Sequence, residues 1–253
     1  MMPRVPTRIA CCLLLCALLV GLRGSPAAHA DGPAFRWVAT WGTQPGPGEL
    51  NRPAGITVDA TGNIWIADTG NHRIQVFTAA GGFLRGIGQR GHGDGQFSDL
   101  RDVTVRDDRI YVADWGNNRV QILDMAGGFV RQIKLTLPGA YGPWRPLAAE
   151  LDAAGHLYVL DESSASVVRL TADHTVAQVY PASCYMMAVM SSGDFFCSGG
   201  LNVSRVSLAG EILSINYHPR HPGHLSSTRA LATSPDDSLW AYDMASATVK
   251  HYT

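Results

Sequence analysis

Three groups of residues in this chain have the types and spacing to do chemistry. The strings DTGNHR at 68–73 and DWGNNR at 114–119 each gather an acid, an amide and an arginine within six residues. HPRHPGH at 218–224 places His218, His221 and His224 in an H-x-x-H-x-x-H run that could contribute to a Zn²⁺ or Cu²⁺ site. Pro219 and Pro222 keep that run extended, so a single ion would hardly reach all three imidazoles, and a solvated polar loop is the competing reading. Third, arginines recur just before apolar strand-like runs, at Arg52, Arg101, Arg145 and Arg229, with Tyr185 in the equivalent place once.

The elements that must position these groups are repeats. Aligned on the first string, five copies begin at residues 65, 111, 158, 196 and 240, spaced by 46, 47, 38 and 44 residues. Each has a short apolar stretch and a turn before it, and the first four have a further strand after it, such as GGFLRGIG at 81–88. Short alternating runs bounded by Gly, Asp and Asn predict strand–turn–strand–turn–strand–turn–strand units, and no amphipathic helix interrupts them. Four-stranded units recurring every ~40–45 residues predict a β-propeller. The fold expected is therefore all-β, with five blades. The fifth unit ends after its third strand, and FRWVATWG at 35–42 resembles a fourth strand, so closure of the ring by the N-terminal strand is expected.

Repetition changes the reading of the acid-amide-arginine string. A set found in consecutive units is explained by what each unit needs, so Asp68, Asn71, Arg73, Asp114, Asn117 and Arg119 are expected to tie the corner between second and third strands. Unit four has Gly199 in place of the Asp, and units three to five have Ser166, Ser204 and Thr248 in place of the Arg, which suits a replaceable corner.

Residues 1–30 are set apart from the fold. Arg4 and Arg8 precede an apolar run from Ile9 to Leu22, and the stretch ends AHA, the pattern of a cleavable secretory signal peptide. The expected domains are thus a signal peptide at 1–30 and a propeller at 31–253, secreted or periplasmic, with no stable membrane insertion after cleavage; the run is shorter than the ~18–20 residues of a spanning helix. A formal net charge of −1 gives no footprint for nucleic acid. Of five cysteines, Cys11, Cys12 and Cys16 lie in the signal, leaving Cys184 and Cys197, which could pair in an oxidising compartment or remain two buried thiols.

The segments leading into the inner strands align as NRPAG, DLRDV, RPLA, SCYMM and STRAL. This alignment places Arg52, Arg101, Arg145, Tyr185 and Arg229 around one mouth of the central channel, with Trp115 and Trp144 nearby. Nothing in a strand pattern requires arginine there. A cluster of guanidinium groups with a tyrosine favours a carboxylate, phosphate or sulfate group, against the alternative of a solvated or corner-paired rim. Glu150 stands in a column otherwise read as Thr57, Thr104, Ala188 and Ala232; it could pair with Arg145 or Arg101, or serve as a general base or metal ligand. GIGQRG at 86–91 fits a dinucleotide fingerprint, but no helix follows it. Asn202, in the sequon NVS, aligns with Asn71 and is explained by the repeat.

The stretch LNRPAGITVDATGNIWIADTGNHRIQVF resembles the NHL repeat, as does GQFSDLRDVTVRDDRIYVADWGNNRVQILD. The resemblance is specific over 48–130 and reaches 35–253 in outline. NHL propellers are usually six-bladed, so a six-bladed ring is the alternative to five. The resemblance implies a rigid platform, exported here, whose upper face binds a protein, peptide or glycan without a cofactor. Some exported members resemble peptidyl-hydroxyglycine (peptidylamidoglycolate) lyases, which use zinc, arginine and tyrosine at the channel mouth. Under that alternative Tyr185, Arg101, Arg229 and Glu150 are the catalytic candidates, and His224 or a neighbour would hold zinc, with calcium a further possibility. Those lyases take their zinc histidines from separate blades, whereas this chain clusters them in one loop.

Overall fold

A computed structural model describes residues 47–137, 142–199, 203–214, 225 and 227–252. These residues form five blades. Blade 1 comprises β1 (Ile56–Val58), β2 (Ile64–Asp68), β3 (Arg73–Phe77) and β4 (Phe83–Ile87). A short parallel pair, β5 (Gln89–Arg90) with β6 (Gln96–Phe97), shapes the connection to blade 2, which holds β7 (Leu100–Arg106), β8 (Arg109–Asp114), β9 (Arg119–Asp124) and β10 (Phe129–Ile133). Blade 3 runs β11 (Pro146–Leu151), β12 (Leu157–Asp161), β13 (Ser166–Leu170) and β14 (Val176–Pro181); blade 4 runs β15 (Met186–Val189), β16 (Phe195–Ser198), β17 (Val203–Val206) and β18 (Ile212–Ser214). Blade 5 shows three described strands, β19 (Thr228–Thr233), β20 (Leu239–Asp243) and β21 (Thr248–Tyr252). The strand expected at 35–42, the signal peptide and the histidine run lie outside the described residues.

Every blade is an antiparallel meander whose first strand lines the centre, with β1, β7, β11, β15 and β19 as the inner strands. Burial follows from that radial order. Second strands lie between two neighbouring blades and are buried throughout in blades 1 and 3, whereas outer strands such as β4 and β10 are mostly exposed. The core is a set of aliphatic and aromatic layers between consecutive blades. Trp65, Ile74, Phe97 and Leu100 pack between blades 1 and 2, and Trp144, Val120, Leu157 and Val159 between blades 2 and 3.

The corner string is a buried polar latch. Asp68, fully buried, accepts from the Asn51 backbone N–H at 2.7 Å, Asn71 Nδ2 at 2.9 Å, Arg73 Nε at 2.9 Å and Gln75 Nε2 at 2.8 Å. Asp114 repeats the set with the Ser98 N–H at 2.8 Å, Asn117, Arg119 and Gln121. One carboxylate oxygen thus holds the chain entering the inner strand and the other holds the turn itself. His72 and Asn118 close these turns in the left-handed region, with φ of 54° and 55°.

Blades 3 and 5 keep the aspartate with different partners. Asp161 takes the Arg145 N–H at 2.7 Å and the hydroxyls of Ser163 and Ser164; Asp243 takes the Ser227 N–H at 2.9 Å and Lys250 Nζ at 3.2 Å. The cation expected to be missing from unit five is therefore supplied by Lys250, two residues beyond Thr248. The glycine of the string is also explained. In blades 1 and 2 the incoming segment is one residue longer, with Arg52 and Asp99 turned to φ of 48° and 58°, and it accepts from the Gly70 and Gly116 N–H groups. A Cβ on Gly116 would lie 2.1 Å from the Ser98 carbonyl oxygen. In blades 3 and 5 the shorter approach accepts instead from Glu162 and Met244, and Ser163 and Ala245 occupy the glycine's place.

Blade 4 lacks the aspartate, and there Cys184, leading into β15, is joined to Cys197 of β16 with Cα atoms 5.6 Å apart. The disulfide fastens the same two segments that the carboxylate fastens elsewhere. Two stability outcomes follow. Asp114→Ala leaves the Arg119 guanidinium buried, with only 3% of its side chain exposed, and is expected to cost ~3–5 kcal/mol; Asp68→Ala should cost less because Arg73 can turn to water. Replacing Cys184 and Cys197 by alanine, a 13-residue separation, is expected to cost about 3 kcal/mol, read by denaturant unfolding.

Candidate functional site

The face carrying the latches is one mouth of the channel, and the register of the inner strands decides what it presents. β7, β11 and β19 each contain a bulge between Leu100 and Asp102, Pro146 and Ala148, and Thr228 and Ala230. The extra residue is Arg101, Leu147 and Arg229 respectively. In blade 4 the corresponding residue is Tyr185, next to Met186, and its N–H donates to the Ser198 carbonyl. A bulge leaves its extra residue out of the ladder and re-aims the side chain. Arg101, Tyr185 and Arg229 therefore share one structural position. Arg52 and Arg145 do not: they lie earlier, in the incoming segments, where Arg52 matches Asp99 and Arg145 is the latch-bound residue. The approaches differ in length by one residue, which sets these two apart from the bulge residues within the same incoming segments.

Arg101 and Arg145 nevertheless meet, around Trp115. Their guanidinium carbons lie 5.0 and 4.8 Å from the indole centroid, within cation–π range. The Trp115 Nε1–H donates to Glu162 Oε2 at 2.8 Å, and Arg145 Nη1 stands 3.8 Å from the same oxygen. Arg101 Nη2 donates to Asp99 at 3.0 Å. The indole attracts both guanidinium groups, and two carboxylates, Asp99 and Glu162, offset their like charge. Tyr185 is 71% exposed, and neither Arg52 nor Arg229 makes an ion pair among the described residues. Trp144 corrects the expectation: it is 4% exposed and sits in the layer between blades 2 and 3, so it supports the rim from below and cannot offer its ring to a ligand.

Glu150 faces inward, and its Oε2 accepts from the Val189 N–H of the next inner strand at 3.0 Å. Asp102 does the same one blade earlier, accepting from the Ala149 N–H at 3.1 Å. Both carboxylates thus clasp neighbouring inner strands across a blade boundary, a role the sequence column did not reveal. No group of three His, Cys, Asp or Glu side chains suited to a metal ion occurs among the described residues. His218, His221 and His224 fall outside them.

The opposite mouth was missed by sequence reading. A central depression there draws on all five blades: Val58, Val105, Leu151, Val189 and Thr233, at or next to the ends of the inner strands, form a largely aliphatic collar, and Asp59, Asp107, Ser191 and Asp237 stand at its edge. These residues give no signal in the sequence because each has a local explanation. Asp59 is bound by the Thr61 and Asn63 N–H groups and by Trp65 Nε1 at 2.9 Å, while Asp237 accepts the Ser191 N–H and hydroxyl at 2.6 Å, joining blade 5 to blade 4.

Comparison with known proteins agrees with the repeats. The family model described as the NHL repeat matches residues 50–77 and 97–123. The mouse NHL repeat-containing protein 3 is 53% identical over 32 residues, which span 13% of this chain and 9% of that protein. The Drosophila melanogaster protein brain tumor is 40% identical over 58 residues, 23% of this chain and 6% of that protein. This chain therefore matches only a small part of the curated relatives' length. Among solved structures, a catalytically inactive virginiamycin B lyase from Staphylococcus aureus with quinupristin superposes at a TM-score of 0.58 and 16% identity, covering 79% of this chain and 69% of that one. Kuenenia stuttgartiensis hydrazine synthase gives 0.55 and 14%, covering 88% and 69%. At such identities the likeness is one of fold. The chain carries two NHL repeats within a β-propeller.

The lower edge yields a pH outcome. Burial pushes the Asp59 carboxyl up, but hydrogen bonds from Thr61, Trp65 and Asn63 outweigh it and hold the group below its ordinary value. A lowered carboxyl stabilises the fold above the unfolded value, near pH ~4, and that contribution is lost as pH falls through the folded value. Melting temperature measured from pH 5 to 2 should therefore fall more steeply for the native chain than for Asp59→Asn, which should start lower and change less.

Proposed function

We propose that this chain is an exported NHL-type propeller that acts as a binding module, using its latch-bearing face to hold a protein, peptide or glycan with anionic groups. The observation that carries this reading is the coincidence of Arg101, Tyr185 and Arg229 at one bulge position. The latch below them already meets the needs of each blade, and Ala54 and Leu147 fill the same position in blades 1 and 3, so the fold does not require these side chains. A planar guanidinium fork suits carboxylate, phosphate and sulfate groups, and a tyrosine adds a flat amphipathic contact. Export is supported by Arg4 and Arg8 before the apolar run and by the disulfide of blade 4.

A metal-dependent lyase remains the second reading, favoured by the same coincidence of tyrosine and two arginines at one mouth. Its metal ligands would have to come from His218, His221 and His224, whereas guanidinium and phenol groups bind an anion without a metal.

The binding reading is tested by charge reversal. Arg101→Glu with Arg229→Glu should weaken capture of the chain's partner by roughly tenfold or more, while Leu84→Glu on the outer strand of blade 1 should leave it unchanged. Equal capture by the native chain and the double variant, with the fold intact by circular dichroism, would remove the proposal.

A further inference from the structure

The corner formed by Trp115, Arg145 and Glu162 shows what chemistry the rim accepts. Indole and guanidinium N–H groups converge on one oxygen, Oε2 of Glu162, at 2.8 and 3.8 Å. The first distance is a hydrogen bond; the second is an ion pair too long for one. Arg145 is thus oriented by the Trp115 ring, yet its side chain makes no hydrogen bond within the described residues, and 45% of it is exposed. Glu162 is itself 42% exposed and belongs to a surface turn. Its backbone is fixed independently, because the Glu162 N–H donates to the Arg145 carbonyl at 2.9 Å. The carboxylate can therefore leave without disturbing the turn. A shallow cleft lined by Trp115, Arg145, Glu162, Ser163 and Ser164 opens beside it.

We infer that this corner is a carboxylate subsite, occupied in the free protein by the chain's own Glu162 and taken over by a glutamate or aspartate side chain of an acidic peptide partner. The inference deepens the rim reading and rests on it. Glu162 acts as an internal competitor. The indole N–H and the Arg145 fork supply the donors, and the Arg145 charge is better satisfied by a ligand free to approach it bidentately than by Glu162 at 3.8 Å. Arg101, on the same indole, adds a second positive charge beside the incoming group. Competition makes an unusual demand: removing an acidic residue of the protein must strengthen binding of an acidic ligand by more than a remote charge change does.

The test uses the full chain and a hexaglutamate peptide at low ionic strength, with hexalysine as a control and affinity read by calorimetry. Glu162→Ala should bind hexaglutamate about tenfold more tightly than the native chain, and Glu162→Gln, which keeps an acceptor for the indole but no charge, should fall between them. Arg145→Gln should bind about tenfold more weakly. Asp107→Asn, on the opposite mouth, removes the same charge and should change affinity less than twofold. In the indole N–H region of the NMR spectrum, the signal absent from Trp115→Phe should move with hexaglutamate. Equal affinity of Glu162→Ala and the native chain, equal gains from Glu162→Ala and Asp107→Asn, or no binding of hexaglutamate to any variant would each overturn the subsite. Failure here leaves the partner-capture result with the Arg101 and Arg229 variants to decide the wider reading separately.

Discussion

A buried carboxylate in four of the five blades controls how this propeller is put together. An aspartate ending the second strand accepts the backbone N–H of the segment leading into the inner strand, at 2.7 Å in blades 1 and 3, 2.8 Å in blade 2 and 2.9 Å in blade 5. A buried charge is tolerated only when its lone pairs are filled, and the four latches fill them in three ways. Blades 1 and 2 use Asn, Arg and Gln; blade 3 uses serine hydroxyls; blade 5 uses Lys250. Blade 4 replaces the carboxylate with a disulfide between the same segments. Because the latch fixes where the incoming segment enters the sheet, it also fixes the bulge that follows, and the bulge decides which side chains stand on the rim.

This division of labour separates structural from functional residues. Arg73 and Arg119 belong to the latch and point to carbonyls of the incoming loop, such as Glu49 and Gln96. Arg101 and Arg229 belong to the bulge and face the mouth. The two kinds of arginine stand on the same face of the propeller but answer to different constraints. Glu150 and Asp102 form a third class, binding the inner strands of successive blades to one another.

Much of the fold was readable from the sequence because a propeller repeats. The five copies, their turns and the corner string gave the blades, and at that corner Asn71 and Arg73 both donate to Asp68. Three things were hidden. The incoming segments differ by one residue between blades, and Arg52 and Arg145 precede the bulge that carries Arg101 and Arg229, a distinction the aligned entries did not draw. Trp144 looked like a rim aromatic, yet its side chain turns into the layer between blades 2 and 3. Finally, Glu162 gave no signal at all, because an acid in a surface turn is ordinary until the fold sets Trp115 and Arg145 beside it from 47 residues and 17 residues away.

The central claim is that recognition belongs to the latch-bearing mouth and not to the opposite depression. Hydrogen exchange of the backbone amides, with and without a bound partner, addresses it directly. The account requires protection concentrated at residues 98–102, 115–118, 143–147, 162–165, 184–186 and 227–230. Protection confined to the opposite turns, at 59–63, 106–109, 152–156, 190–194 and 234–238, would contradict it and assign binding to the aliphatic collar.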